Sequence, residues 1–305
     1  MAGYTDTLKS LLLNILDNKT SITYPHQSIK SRILPELPEV ETTRRGIEPH
    51  IQGKKICRLS VFNPNLRWPV PLGLSSEVND QMVVAVTRRA KYLVLQLDQM
   101  SLLIHLGMSG SLRIVDASTP RLKHDHVEID FHDGTRLRFN DPRRFGCVLP
   151  LPPETDTPHP LLAGLGPEPL SADFDGLYMH RLSRGKKAPI KTFIMNQAIV
   201  VGVGNIYANE ALFKAGIHPK RAAGQVSLKR YQTLADEIKS VLAAAITMGG
   251  TTLRDFVGGD GKPGYFQQTL RAYGRGGEPC TQCRTLLKEI RLGQRSTVFC
   301  PHCQR

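Results

Sequence analysis

The chain has no apolar run approaching the roughly 18 residues that a membrane-spanning helix needs. Its short leucine patch, Leu11-Leu12-Leu13, is too brief for a signal peptide and lacks the flanks of one. A bilayer-spanning helix and a secretory leader are excluded, and a cytoplasmic protein is expected. There are no internal repeats. There is no Lys/Arg-rich tail either, so the basic residues are dispersed and suit a folded basic surface, not a disordered arm. Acidic residues are in deficit: 27 Asp and Glu against 40 Lys and Arg, a formal charge of +13. That balance favours polyanions, nucleic acid before an anionic membrane surface. Nothing marks an obligate oligomer, so a monomer is expected. At 305 residues the chain can bury a full core and is expected to form two domains.

Six cysteines are present, and four of them crowd the C-terminus. Cys57 and Cys147 stand alone beside apolar neighbours and read as buried thiols. The other four form Cys280-x2-Cys283-x16-Cys300-x2-Cys303. In a cytosolic protein such a pattern indicates metal, not disulfides. Each pair places two thiolates on one tight turn, and two pairs complete the tetrahedral sulfur site that zinc accepts. Four protein ligands leave no open position for catalysis, so the zinc is structural. Lys288–Leu292, Gly293 and Ser296–Phe299 read as strand, turn and strand, with Arg291 and Arg295 near the ribbon tip in reach of a phosphate.

Residues 1–34 are polar, mixed and without sustained periodicity. A helix is expected from Pro38, with Glu39 and Glu41 opposing the positive end of its dipole and Val40, Thr43, Ile47 and Ile51 on one face. Residues 81–149 read as strands, among them Tyr92–Leu97, Leu102–His105 and a hairpin from His126 to Asn140 that turns at Asp133-Gly134. This half suits a β-sandwich or barrel with a flanking helix. Prolines crowd residues 150–170, the candidate linker. Helices are then expected over Ile190–Val200 and Asn205–Ala215. A third is expected from Ser227, with Leu228, Tyr231, Leu234, Ile238 and Leu242 on its apolar face and Gly249-Gly250 ending it. Between the first two, Gly202-Val203-Gly204-Asn205 lets the backbone approach a ligand closely, and the amides around Asn205 would suit a phosphate; an ordinary helix hairpin with Asn205 as N-cap is the plainer alternative.

Several blocks, in order and across nearly all of 35–305, resemble the formamidopyrimidine-DNA glycosylases, bacterial enzymes that remove oxidised purines from DNA. They are Pro35–Thr42, Arg88–Lys91, His105–Gly110, Lys123–His126, Asp141–Gly146, Leu165–Leu170, Val201–Ala208 and Asp260–Phe266, followed by the cysteine ribbon. The resemblance implies an α+β protein: an N-terminal β-sandwich domain with its flanking helix at 35–150, a linker at 151–170, a helix–two-turns–helix DNA-binding domain with a lesion loop at 171–265, and a four-cysteine zinc β-ribbon at 266–305. Leu37 and the 260–266 loop favour the oxidised-purine branch over the related endonuclease VIII branch, which acts on oxidised pyrimidines.

The resemblance also implies a bifunctional enzyme that removes the damaged base from duplex DNA and then cuts the strand. The target nucleotide must leave the stack, at a cost of a few kcal/mol. Met108, Arg143 and Phe145 match the residues that fill the gap, with Arg143 able to bond the orphaned base. Pro35 matches the nucleophile, whose free amine attacks C1′ of the sugar; an α-amine has a pKa near 8, so a useful fraction is neutral at pH 7. Glu36 matches the general acid/base, Lys91 a proton donor in β-elimination or a phosphate contact, and Arg295 the arginine of δ-elimination. His124, Arg143, Lys186 and Asn205 match DNA-binding positions. The 251–265 loop matches the segment that closes over a flipped purine.

In this family the proline comes first after the initiator methionine is removed, whereas here it is internal. An internal proline nitrogen is a tertiary amide with no usable lone pair. Leu34 stands at the initiator position, and leucine codons can start bacterial translation. The expectation is therefore that the working chain begins at position 34 and loses that residue, or that a leader is cleaved. If residues 1–34 are retained, a non-catalytic zinc DNA-binding protein is the alternative.

Overall fold

The computed structural model describes residues 35–151, 159–250 and 266–305. The expected leader at 1–34, part of the linker and the expected lesion loop at 251–265 lie outside the described residues. Helix α1 (Leu37–Ile51) opens the described chain. It begins where Pro38 and Glu39 favour a first turn, and it buries Leu37, Val40, Thr43, Ile47 and Ile51, the face its apolar spacing predicts.

Eight strands follow: β1 (Ile56–Val61), β2 (Val83–Arg89), β3 (Tyr92–Leu97), β4 (Ser101–His105), β5 (Ser111–Asp116), β6 (Asp125–Phe131), β7 (Thr135–Asn140) and β8 (Cys147–Leu151), with the short helix α2 (Leu74–Val78) after β1. They make two antiparallel sheets, ordered β1-β6-β7-β5 and β2-β3-β4-β8. Alternation decides which side chains meet between them: Leu59, Val86, Leu93, Leu95, Ile104, Val127, Ile129, Leu137 and Phe139 belong to one apolar core. The β6–β7 hairpin turns at Asp133-Gly134 as expected, with Gly134 at φ +85. Cys147 is buried, but Cys57 is exposed. Alternation from the buried Ile56 points Cys57 outward, and the register shift in the β1–β6 pairing between Ile56 and Arg58 leaves Arg58 outward too before Leu59 returns to the core.

The second half contains α3 (Pro160–Ala163), α4 (Gly176–Ser183), α5 (Ile190–Ile194), α6 (Asn205–Lys214) and α7 (Leu228–Thr247). Helix α7 buries Tyr231, Leu234, Ile238 and Leu242 of its predicted face, with Leu228 only half-buried in its first turn, and ends before Gly249 and Gly250, both at positive φ. The expected helix over Ile190–Val200 is cut short at Ile194. Side chains compete for the backbone there: Asn196 Oδ1 accepts the Ala198 amide at 3.0 Å, and Gln197 Oε1 accepts the Gly202 amide at 3.0 Å. The segment is also held from outside, by Gly166 N–H to the Gln197 carbonyl at 2.8 Å and Val201 N–H to the Pro167 carbonyl at 3.2 Å.

Strands β9 (Lys288–Leu292) and β10 (Arg295–Phe299) form the terminal ribbon. Gly293 and Gln294 link them, both at positive φ, as a two-residue hairpin turn requires. The ribbon has a small core of its own, Leu287, Val298 and two of the cysteines, into which α6 inserts Phe213.

Candidate active site and nucleic-acid interface

The chain from Pro35 to Glu39, which runs into the first turn of α1, is buried, and it meets the start of α6 through Glu36. Glu36 is only 2% exposed. Its carboxylate accepts the amides of Gly204 at 3.0 Å and Ile206 at 3.1 Å, at the positive end of α6. Glu39 supports it from behind: one oxygen accepts the Glu36 amide at 2.9 Å and the other the Tyr207 hydroxyl at 2.6 Å. Burial pushes the Glu36 carboxyl up to about 7, against the pull of Lys91, while Glu39 raises it further. Relative to an unfolded carboxyl at 4.5, the folded state is favoured below that pH and loses the advantage as pH rises through about 7. At alkaline pH the ionised group costs the fold about 3 kcal/mol. A group held at such a cost beside a basic surface is a candidate for chemistry.

Lys91 reaches this centre from the tip of the β2–β3 hairpin, where Arg89 pairs with Tyr92. Ala90 takes a left-handed φ of +55 there, held by Glu168, whose Oε1 accepts its amide at 2.7 Å. Glu168 also pairs with Arg88 at 2.8 Å and Arg89 at 3.0 Å, and Arg88 bridges on to Glu41 of α1 at 3.2 Å. The hairpin tip is therefore clamped between the first helix and the connection to the helical half. Burial lowers the Lys91 ammonium's pKa, Glu36 and Glu39 oppose this, and Arg295 adds to the lowering. Arg295 thus lies within electrostatic reach of Lys91, although it comes from the ribbon.

Lys191, on α5, is 1% exposed and donates to Asn205 Oδ1 at 2.7 Å, the Ser296 carbonyl at 2.8 Å and Thr297 Oγ1 at 2.7 Å. Burial pushes it down to about 7, with Glu36 pulling it back and Arg295 lowering it. It joins the start of α6 to the strand that carries Arg295. Asn209 and Glu210 add to this joint. Asn209 accepts the Val298 amide at 2.9 Å, and Glu210 accepts the amides of Arg271, Ala272 and Tyr273 at 2.8–2.9 Å.

The four ribbon cysteines bring their sulfurs within 4.8 Å of one another. Cys283 and Cys300 are 3.4 Å apart, and Cys280 and Cys303 are 4.0 Å apart. Tetrahedral zinc with bonds of about 2.3 Å sets its sulfurs about 3.8 Å apart, so the cluster fits one structural Zn²⁺. The amides of Gln282 and Cys303 donate to Cys280 and Cys300 sulfur at 3.4 Å. Removing the zinc is expected to unfold the ribbon, carry Arg295 away and abolish specific DNA binding, with the sandwich left folded. Circular dichroism and a mobility-shift titration, before and after chelation, check this.

A second cluster lies at the ends of β4 and β7. Met108, on the turn after β4, and Arg143, on the turn after β7, are half-buried; Phe145, also after β7, is 40% exposed. The Arg143 guanidinium lies 4.8 Å from the Phe145 ring centroid. His124 adjoins them, its carbonyl accepting the Asp141 amide at 3.0 Å. Lys186 stands apart: its side chain is exposed, and its backbone is fixed by bonds to Ser183 and Gly224.

This arrangement matches one family in three successive parts from residue 34 onward. Residues 34–148 match the formamidopyrimidine-DNA glycosylase N-terminal domain, 165–257 its H2TH domain, and 277–305 a zinc finger found in FPG and IleRS. The formamidopyrimidine-DNA glycosylase of Hahella chejuensis is 66% identical over 272 residues, covering 89% of this chain and 100% of its own. The chain belongs to the formamidopyrimidine-DNA glycosylase family. The Marinobacter nauticus member is 61% identical over 273 residues, again 89% and 100% of the two chains. Among solved structures, MutM in complex with DNA containing carbocyclic 8-oxo-G superposes with a TM-score of 0.82 at 35% identity, over 89% of this chain and 100% of that one. The Lactococcus lactis protein in complex with DNA containing FAPY-dG gives 0.81 at 34% identity, over 88% and 100%.

Set against the glycosylase family's outline, two sequence expectations need correction. Asn205 is not the N-cap of α6; Gly204 is, and the Asn205 side chain turns to Lys191. The amides of Gly204 and Ile206, expected for a phosphate, are taken by Glu36. The glycines serve that close approach. A Cβ on Gly202 would come 2.5 Å from the Leu37 side chain, and one on Gly204 would come 2.1 Å from Glu36 Cδ. Gly204→Ala is therefore expected to displace the Glu36 carboxylate and lower base excision about 100-fold, the usual cost of misplacing a catalytic group by an ångström. Single-turnover kinetics beside a thermal melt would separate that loss from unfolding. Sequence reasoning missed Lys191, Glu39 and Tyr207. A lysine within Ile190–Ile194 and an acidic residue in a helix's first turn carry no local sign of such partners.

Proposed function

We propose that the protein is a bifunctional DNA glycosylase and abasic-site lyase that excises 8-oxoguanine and formamidopyrimidine lesions from duplex DNA, with Pro35 as its nucleophile. The observation that carries this reading is the buried Glu36, beside Pro35, with its carboxyl poised near neutral pH on the amides of α6.

The free secondary amine of Pro35 attacks C1′ as the damaged base departs. Glu36 moves the protons at the sugar and the leaving group, its pKa suiting either direction at pH 7. The C1′–O4′ bond then opens as the amine proton is lost and O4′ takes a proton, which leaves a cationic iminium between Pro35 and C1′. Its charge acidifies the C2′ protons, so the 3′ C–O bond breaks by β-elimination and the 5′ C–O bond by δ-elimination. Lys91, low in pKa and next to Glu36, supplies or takes a proton in the first elimination. Arg295 assists the second and holds the flanking phosphate. Because Lys191 occupies Asn205 Oδ1, the Asn205 amide nitrogen is left for a phosphate oxygen. Lys186 and His124 extend the backbone contacts. Met108, Arg143 and Phe145 enter the gap left by the flipped nucleotide, and the 251–265 loop covers the extruded purine. The 35–150 sandwich supplies the nucleophile, while the 171–265 domain and the 266–305 ribbon grip the duplex. DNA as substrate places the enzyme in the bacterial cytoplasm with the nucleoid.

Borohydride trapping on duplex DNA with 8-oxoguanine opposite cytosine tests the reading, using protein that begins at Pro35. Reduction converts the iminium to a stable amine. A covalent adduct that is lost in Pro35→Gly supports it. Binding without any adduct would sink it in favour of a DNA-binding module, and a higher yield on oxidised pyrimidines would sink the substrate assignment.

A further inference from the structure

The loop that carries Met108 joins β4 to β5 and the loop that carries Arg143 and Phe145 joins β7 to β8, so both cross between the two sheets side by side, and one buried carboxylate lies between them. Asp141 is 0% exposed. Its Oδ2 accepts the Gly146 amide at 2.8 Å, and its Oδ1 accepts the Arg143 amide at 3.3 Å, so it closes the turn holding Arg143 and Phe145. Oδ1 also faces the Ser109 hydroxyl at 3.5 Å, on the loop of Met108. The Asp141 backbone ties the same turn to the His124–His126 strand. Its amide donates to the His124 carbonyl at 3.0 Å, and its carbonyl lies 2.9 Å from His126 Nε2 and accepts the Arg144 amide at 3.1 Å.

The loops touch backbone to backbone. A Cβ on Gly107, which sits at φ +66, would come 2.5 Å from both the Gly146 nitrogen and the Phe145 carbonyl carbon. A Cβ on Gly146 would come 2.4 Å from the His105 carbonyl oxygen. His105 Nδ1 accepts the Gly107 amide at 2.9 Å, fixing the other side of the turn. Arg144, between the two gap-facing residues, is held at a left-handed φ of +57. A non-glycine residue stays in that region only when its surroundings over-determine it, and the Asp141 bonds supply that constraint.

We infer that Asp141 is the positioning residue of the gap-filling trio, joining Met108, Arg143 and Phe145 into one rigid wedge before DNA arrives. The inference rests on the proposed role of those three residues. Preorganisation is the reason it matters: side chains already aimed lose less freedom as they enter the duplex. The wedge is needed only where a base must leave a paired stack. The consequence is selective. Loss of Asp141 slows excision from duplex DNA and spares chemistry on a strand with nothing to flip.

Asp141→Ala and Asp141→Asn, each in protein beginning at Pro35, test it. Two single-turnover rates are compared: excision of 8-oxoguanine opposite cytosine in a duplex, and cleavage of single-stranded DNA carrying a preformed abasic site. Asp141→Ala is expected to lower the first about 10- to 100-fold and the second less than about 3-fold. Asp141→Asn, which keeps one acceptor oxygen, should fall between Ala and wild type. A double-mutant cycle with Met108→Ala supplies a readout that a merely structural role would not move, since a residue acting through the wedge loses little more once the wedge is blunted. Equal losses in both assays, no loss in either, or full additivity with Met108→Ala would overturn the inference. A wild-type protein that excises nothing from the duplex would instead overturn the functional reading on which it rests.

Discussion

Protein that retains residues 1–34 will form no borohydride-trapped adduct with 8-oxoguanine duplex, while protein beginning at Pro35 will form one readily. The difference is complete because it concerns a lone pair. In the longer chain the Pro35 nitrogen is part of a tertiary amide, delocalised into its carbonyl and unable to attack carbon. Freed, it is a secondary amine with a pKa near 8, partly neutral at physiological pH. Mass spectrometry must accompany the assay to establish where each preparation starts. DNA binding separates this effect from misfolding, since the zinc ribbon, Asn205 and the gap-facing loops are intact in both forms. The longer protein should bind duplex yet leave it uncut. An adduct from protein verified to begin at Met1 would remove Pro35 from the mechanism.

Glu36→Gln should lower base excision by about 10²- to 10⁴-fold, the range that positioned proton transfer contributes. The amides of Gly204 and Ile206 bond different carboxylate oxygens, so glutamine keeps an acceptor for only one of them, and a thermal melt must accompany the kinetics to establish that the fold persists. The substitution removes the titration. With Glu36 near 7 and required in its acid form, and the Pro35 amine near 8 and required neutral, excision by the unaltered enzyme should rise with pH, level between about 7 and 8, and fall above that. The variant's residual rate should lose the fall and bend only near the amine's pKa. The variant's stability should also stop falling as pH rises through about 7, because the substitution removes the buried group that ionises there. A variant with unchanged excision, or one that keeps the alkaline fall, would show that another group carries the proton.

Much of this was legible in the chain itself. The zinc quartet follows from the spacing of Cys280, Cys283, Cys300 and Cys303, because two tight turns are enough to close a tetrahedral site. Helix α1 follows from Pro38, Glu39 and its apolar face, the β6–β7 hairpin from Asp133-Gly134, and α7 from its period and its terminal glycines. Each of these depends on interactions within a few residues. The errors came where that locality fails. Residues 195–200 lie on an apolar, helix-like stretch, but Asn196, Gln197 and the bonds from 166–167 take the backbone elsewhere. Cys57 reads as buried from its apolar neighbour Ile56, yet because Ile56 faces the core, strand alternation points Cys57 outward.

The opening deficit in acidic residues pointed to a polyanion, and the order of motifs pointed to the glycosylase family. What only the tertiary structure decided is the use made of the few acids and lysines that are buried. Glu36 is bound by amides 168 and 170 residues away, Lys191 reaches a carbonyl and a hydroxyl 105 and 106 residues away, and Asp141 meets Ser109 on a neighbouring loop 32 residues away. The sequence by itself determined which side chains exist and which short elements form, since propensity, turn chemistry and metal spacing act along the chain. Burial and long-range hydrogen bonding act across it, and those forces set the pKa of Glu36 and gave the glycines before α6 a carboxylate to cradle in place of a phosphate.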